Sequence, residues 1–296
     1  MKIYRNRVSV AENIFYACNY LFLTLCVIVA VFPIIHVIAT SFSSSNAIAS
    51  GKVFFLPVEA TLDSYREIFR DGNVLRSLNN TIIITLIGTA LNMVCTIMCA
   101  YPLSRKRLVG RGFFSGIFVF TMIFGGGLIP NFLLVKSLNV IDTYWALWLP
   151  SLISVYNMII LKTFFQNIPD SLEEAAMIDG ANDIYILIRI MLPLAGPVLA
   201  TLSLFSAVGW WNEYYNSMIY LNTTTKLPMT VRLMQMIESA SRSSLMNGEG
   251  VTASEHITPE GIKASTIVVT MVPILCVYPF LQKYFVSGVM IGSVKG

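Results

Sequence analysis

The densest run of side chains able to do chemistry lies between Pro169 and Pro193. It opens Pro-Asp-Ser-Leu-Glu-Glu-Ala-Ala-Met-Ile-Asp-Gly-Ala-Asn-Asp and closes on Ile190-Met-Leu-Pro193. Asp170 and Ser171 offer oxygens that can cap a helix start, and Glu173 and Glu174 follow at capping-box spacing. The spacing predicts a short helix with Leu172, Ala175, Ala176 and Ile178 as its small and apolar contact positions. Asp179-Gly180 should end it, because glycine at C′ takes the left-handed conformation without a Cβ clash. Asn182 and Asp183 can then cap a second helix running toward Pro193. No catalytic constellation accompanies this segment. A Gly-x-x-x-x-Gly-Lys-Ser/Thr loop for nucleotide phosphates is missing. His36 and His256, the two histidines, are too far apart in sequence to form a helical metal pair. The expectation is a non-catalytic chain with no cofactor or metal of its own.

The complete spacing resembles one family, the permease subunits of ATP-binding-cassette (ABC) importers. Their cytoplasmic signature is Glu-Ala-Ala, three residues, Gly, nine residues, Ile, one residue, Leu-Pro. Here it reads Glu174-Ala175-Ala176, Gly180, Ile190, Leu192-Pro193. The resemblance implies an all-α membrane protein of the type I importer fold, with six transmembrane helices and a cytoplasmic coupling helix within residues 169–193. It implies that Glu173, Glu174, Ala175, Ala176, Asp179, Gly180, Ile190, Leu192 and Pro193 couple the chain to an ATPase subunit. Glu174 would make the charged contact and Gly180 would permit the turn, whereas Asp183 is expected only to solubilise and cap. MgATP would be bound and hydrolysed by two partner ATPase subunits. A second, different permease and an external or periplasmic solute-binding protein would complete the assembly.

The elements that must position this segment are apolar. A soluble domain is about 45–50% apolar and about 25% charged; this chain is 55% hydrophobic and 12% charged, with a mean hydropathy of +0.70. Its solvent is therefore expected to be mostly lipid. At about 20 residues per crossing, 296 residues supply six helices with modest loops and leave no room for a soluble enzyme domain. The reading is a single transmembrane domain over residues 1–296, with spans near 14–39, 80–101, 113–135, 144–165, 192–218 and 264–285. Lys2, Arg5 and Arg7 precede a hydrophobic run about twice the length of a signal-peptide core, so the first span is read as retained. Arg105, Lys106, Arg107 and Arg111 mark a cytoplasmic loop by the positive-inside rule. Both termini and the 169–193 segment are then cytoplasmic, and the chain is a multi-pass protein of the bacterial cytoplasmic (inner) membrane. The five cysteines all fall in apolar runs and read as small buried hydrophobes. A net charge of +4 is too small to argue for nucleic acid.

Further features sit on these spans. Residues 61–70 read as a capped outer surface helix, 219–262 as a second outer loop, and Trp145 and Trp148 as an interfacial belt. Gly125, Gly126 and Gly127 followed by Pro130 can unwind the third span, either to line a pathway or to let helices pack closely. Trp210, Trp211, Asn212, Glu213 and Tyr214 are candidates for contact with sugar, since aromatic faces stack on sugar rings and amides and carboxylates bind hydroxyls. The tryptophans equally suit a belt, and Glu213 would repel an anionic solute.

The ending Gly292-Ser293-Val294-Lys295-Gly296 resembles the tail of maltose-type permeases, which end in Gly-Val-Lys-Gly and insert between the ATPase subunits. Within that type, Ala100-Tyr-Pro-Leu-Ser-Arg105, Gly126-Gly-Leu-Ile-Pro130 and Thr163-Phe-Phe-Gln-Asn-Ile-Pro169 resemble a branch importing acidic oligosaccharides such as those from pectin or alginate. The resemblance implies carbohydrate import. The alternatives are the same architecture serving a non-sugar solute, or a secondary transporter driven by an ion gradient. The latter is expected to carry mid-span acids and an internal repeat, and neither stands out in this sequence.

Overall fold

The structure, a computed structural model, describes residues 10–70, 72–246 and 258–293. Helix α1 (Val10–Ser41) is followed by the short α2 (Ser45–Ala49) and α3 (Asp63–Arg70), then by α4 (Asn73–Ser104). Next come α5 (Arg111–Ile123), α6 (Leu128–Ser137), α7 (Trp145–Trp148, continued by a 3₁₀ turn, Leu149–Ser151), α8 (Val155–Asn167) and α9 (Asp170–Ile178). Helix α10 (Asp183–Ile186) passes through a π-turn (Leu187–Met191) into α11 (Leu192–Leu194) and α12 (Gly196–Trp211). Helices α13 (Tyr215–Tyr220), α14 (Met229–Met246) and α15 (Pro259–Ser293) complete the described chain, which contains no strand.

Helices α1 and α4 have 32 residues each, which at 1.5 Å per residue gives about 48 Å, more than the ~30 Å of hydrocarbon to be crossed. With the first part of α15 they are the three helices individually long and apolar enough to span. The remaining crossings are bent pairs: α5 with α6 at 114°, α7 with α8 at 47°, and α10–α11 with α12 at 83°. If each pair counts as one span, the total is six. The 13 residues of α5 and 10 of α6 extend only about 20 and 15 Å, so neither half crosses alone.

The stretches expected as spans over 113–135, 144–165 and 192–218 are thus each built from a bent helix pair, and the first of them breaks at the glycine run that the sequence singles out. Gly127, at φ +83°, lets the chain reverse between α5 and α6. The third broken span turns at Ala195, flanked by Pro193 and Pro197, which have no backbone N–H to carry the helix through. Helix α12 ends at Trp211, so 213–218 falls outside it, and part of the expected outer loop at 219–262 is occupied by the 18-residue α14.

The described chain forms two compact units, one from Met1–Asp71 and Met236–Met271, the other from Gly72–Gln235 and Val272–Gly296. In the first, Ala39, Ala47 and Val53 form a small core, and the Ser265 hydroxyl donates to Ser41 O at 3.2 Å. His36 Nδ1 lies 3.1 Å from Phe54 O. In the second, α4 is the axis against which α8 and α12 pack. Met93, Tyr101, Met158, Leu161, Phe165, Met191 and Leu202 form one core, and Ile84, Val135, Leu147, Trp148, Trp210 and Tyr220 the other. Trp148 is buried in that second core, and its Nε1 donates to Ile84 O at 3.3 Å, so only Trp145 of the expected belt pair is exposed.

The break between α7 and α8 would leave carbonyls unsatisfied at membrane depth, a cost of several kcal/mol each. Asn92 of α4 meets it, its Nδ2 donating to Ser151 O and Leu152 O at 3.1 and 3.2 Å. The Ser206 hydroxyl in turn donates to Asn92 Oδ1 at 2.8 Å.

Candidate functional site

The helix foreseen at 170–178 forms, but not with the expected cap. Its N-cap is Pro169, whose side chain accepts nothing, and Asp170 instead pairs with Lys106 Nζ at 3.1 Å. The capping box fails because Glu173 has a stronger partner than a backbone amide. Its Oε2 accepts from Arg105 Nη1 at 2.5 Å, and its Oε1 lies 3.0 Å from Arg107 Nη2. Charge-assisted bonds of this kind are roughly twice as strong as neutral ones.

Glu173 and Arg105 are each 6% exposed, so the pair is compensated charge in the protein interior. Arg105 uses two further donors: Nε to Ser104 Oγ at 3.0 Å and Nη2 to Phe165 O at 2.9 Å. Its guanidinium carbon stands 5.2 Å from the Tyr101 ring centre. Arg107 also pairs with Asp183, which corrects the expectation that Asp183 only solubilises and caps. Burial alone would lower the Arg107 pKa, but the Asp183 hydrogen bond and the charges of Asp183 and Glu173 outweigh it and raise it above the ordinary value.

The other predicted coupling residues divide by face. Glu173 and Ala176 point inward, while Glu174, Ala175, Asp179 and Gly180 are exposed. Ile178 and Met177, four and three residues on, add exposed apolar surface beside Glu174, and Leu172 is exposed on another side of the helix. Asp179 is the C-cap, and Gly180 follows at φ +83° with its N–H on Met177 O at 3.0 Å. Ala181 N–H reaches Ala176 O at 2.9 Å, completing the Schellman pairing. Asn182 Oδ1 caps α10 by accepting from Tyr185 N at 2.8 Å. Ile190, in the π-turn, and Leu192 are half-buried against the first core, and Pro193 is exposed. An open cleft of about 370 Å³ lies alongside, lined in part by Tyr101, Arg105, Arg107, Asp183 and Leu187. Of the tail, Gly292 and Ser293 belong to the last turn of α15, and Val294, Lys295 and Gly296 lie outside the described residues.

Arg105 is the residue that sequence reasoning missed, having counted it only as a topology marker. The sequence offers only that the acidic 170–183 segment and the basic run at 105–107 carry opposite charge, which does not single out the Arg105–Glu173 pair.

The outer candidates are placed differently from expectation. Trp210 and Trp211 are buried, and Trp210 lies so close to α4 that a Cβ on Gly88 would come within 2.6 Å of the indole. Its face is committed to packing and is not open to a sugar ring. Glu213 is a helix cap, its Oε1 accepting from Asn216 N at 2.9 Å and its Oε2 from Asn216 Nδ2 at 3.2 Å. Asn212 is exposed and donates to Val208 O at 2.9 Å; Tyr214 donates to Met218 Sδ at 3.0 Å. Gly125 faces open space, Gly126 would set a Cβ 3.4 Å from Asn131 Oδ1, and Gly127 makes the turn itself.

Comparison with known proteins gives this geometry a context. The polygalacturonan/rhamnogalacturonan transport system permease protein YtcP of Bacillus subtilis is 47% identical over 279 residues, covering 94% of this chain and 96% of the relative. Protein LplC of the same organism is 43% identical over 287 residues, covering 97% and 96%. Among solved structures, a chain of a bacterial ABC transporter involved in the import of the acidic polysaccharide alginate superposes with a TM-score of 0.85 at 33% identity, covering 96% of this chain and all of that one. Residues 2–291 match the family described as binding-protein-dependent transport system inner membrane component, and the chain, with helices long and apolar enough to cross a membrane, is a permease of that family.

Proposed function

We propose that this permease is one half of the translocation pathway of an ABC importer for acidic oligosaccharides. A second, different permease forms the other half, two ATPase subunits bind and hydrolyse MgATP, and an external solute-binding protein delivers the sugar. Helix α9 faces the cytoplasm together with both termini. The observation that carries the reading is the division of α9: Glu174 and the apolar residues beside it are presented outward, while the opposite face is locked to the body of the protein. A membrane protein that needed only a connecting turn here would gain nothing from an outward carboxylate on a rigidly held helix. In this reading the tail 292–296 is a second contact with the ATPases, and Gly125–Gly127 and Trp210–Tyr214 stand near the pathway.

The choice of an acidic sugar is supported by the names of the similar proteins, for polygalacturonan/rhamnogalacturonan and for alginate. The experiment is ATP-dependent uptake of labelled oligogalacturonides, alginate oligomers and neutral malto-oligosaccharides into vesicles carrying the assembled complex and its binding protein. Uptake of the uronate oligomers over the neutral ones is the expected result. Uptake of only neutral sugars, or uptake that persists without ATP, would discard the acidic substrate or the ABC mechanism respectively.

A further inference from the structure

Arg105 has no assigned role beyond its charge, yet its side chain joins four elements. It leaves the C-terminal end of α4, where it rests on Tyr101 and Ser104, and reaches Phe165 O at the end of α8 and Glu173 of α9. Met191 Sδ, at the end of the π-turn, lies 3.9 Å from its Nη2. The neighbouring pairs differ in kind. Lys106 and Asp170 have side chains 84% and 58% exposed, and pairs so open to water hold little. The Arg105–Glu173 pair has side chains 7% and 8% exposed, and separating it would leave the buried Arg105 guanidinium uncompensated and Glu173 with the more exposed Arg107 as its one remaining ion-pair partner among the described residues.

We propose that Arg105 is the positioning residue through which α9 moves the transmembrane helices: Glu174 receives the displacement from the ATPase, and the adjacent Glu173 passes it through Arg105 to α4 and α8. Because the buried pair cannot open cheaply, α9 and the ends of α4 and α8 move as one body. Without it, α9 is held by the more exposed pairs, by the packing of the small Ala176 and by the chain on either side, which can yield at the 168–169 junction and at Gly180. This inference rests on the ATPase-driven reading above and adds to it the internal route of the force.

The test uses the assembled complex in vesicles with its binding protein, comparing wild type, Arg105→Gln, Glu173→Gln and, as a control, Lys106→Gln. ATP hydrolysis and sugar uptake are measured on the same preparation. Both variants of the buried pair are expected to stay assembled and to hydrolyse ATP at the wild-type rate. They should move roughly 2- to 30-fold less sugar per ATP, the span of coupling lost when a transmitting residue is changed. Arg105→Lys should recover part of the loss, and Lys106→Gln should match wild type. An unchanged sugar-to-ATP ratio in both buried-pair variants would overturn the proposal. So would loss of both from the complex, since the pair would then determine assembly and not transmission. Failure of the underlying reading looks different, because wild type itself would show no ATP-dependent uptake.

Discussion

Glu173 and Glu174 are adjacent and chemically identical, yet the helical turn sends one into the protein and the other into solvent. Removing Glu174 should therefore leave the fold intact and weaken only the contact proposed for it with the ATPase. A charge-assisted hydrogen bond is worth about 1.5–3 kcal/mol, so Glu174→Ala is expected to weaken ATPase binding roughly 10- to 150-fold, read by titrating purified ATPase onto the permeases in nanodiscs. Unchanged affinity would remove Glu174 from the interface. Gly180→Val acts on shape instead. At φ +83° a side chain costs about 1–2 kcal/mol, and more for a β-branched one. The expected outcome is faster proteolysis at 179–182 with normal membrane insertion; a wild-type cleavage rate would show that the turn tolerates the strain. The turn at Gly180 and the cap at Asn182 were legible because they are set by immediate neighbours, whereas the contact expected of Glu174 came from the family resemblance. Arg105 was not legible, since its partner Glu173 lies 68 residues away and no local pattern announces such a pairing. Glu213 misled for the converse reason: a charge near a span suggests function, but this one is spent on the N–H of Asn216, three residues on.

Between elements, two contacts decide how the second unit holds together. The turn at Asp142 is tied to the 222–226 turn: its carboxylate accepts from the Thr223 hydroxyl at 2.5 Å, from Thr223 and Asn222 N–H at 2.9 Å each, and from Lys226 Nζ at 2.9 Å. Thr223 above all, then Lys226, holds the Asp142 pKa far below the ordinary carboxylate value. A depressed carboxylate contributes stability that is complete above its unfolded pKa of about 3.9 and is lost as pH falls toward the folded value. Asp142→Asn keeps a residue that tolerates φ +59°, so it isolates the charge. It should lower the thermal midpoint at neutral pH, and the gap from wild type should narrow below about pH 4; a gap independent of pH would refute the assignment. The second contact is Trp210 on Gly88. A Cβ there would sit 2.6 Å from the indole, and overpacking of this sort costs about 1–3 kcal/mol. Gly88→Ala should destabilise the protein in a thermal scan, and Trp210→Phe on the same chain should restore part of the loss. Glycine and proline advertised the breaks at 125–130 and 193–197. The angles of 114° and 83° were hidden, because they depend on which carbonyls find partners, as Ser151 and Leu152 find Asn92 at the 47° break.

At the scale of the whole chain, apolar surface remains where a globular protein would hide it. Helix α5 buries none of its residues, and Phe113, Phe120 and Ile123 are exposed on it. In water such a surface would aggregate; in a membrane it can face lipid. Hydropathy made this legible, since the apolar stretches and the polar segment between two of them are read from composition and spacing. Attachment to the ATPases is a property of the chain as a whole, because it is proposed at two separate places, α9 and the tail 292–296. Two contacts on one body act through effective concentration: once the first has formed, the second is no longer a bimolecular event. Deleting 292–296 should then weaken ATPase binding by its own factor, and combining it with Glu174→Ala should multiply the two losses, as distant independent sites do within about 0.5 kcal/mol. The measurement is the same nanodisc titration on the four chains of the double-mutant cycle. A deletion that leaves affinity unchanged would remove the tail from the interface. A double variant no weaker than one single variant would mean that tail and helix serve one contact, and the force would then have a single place to enter.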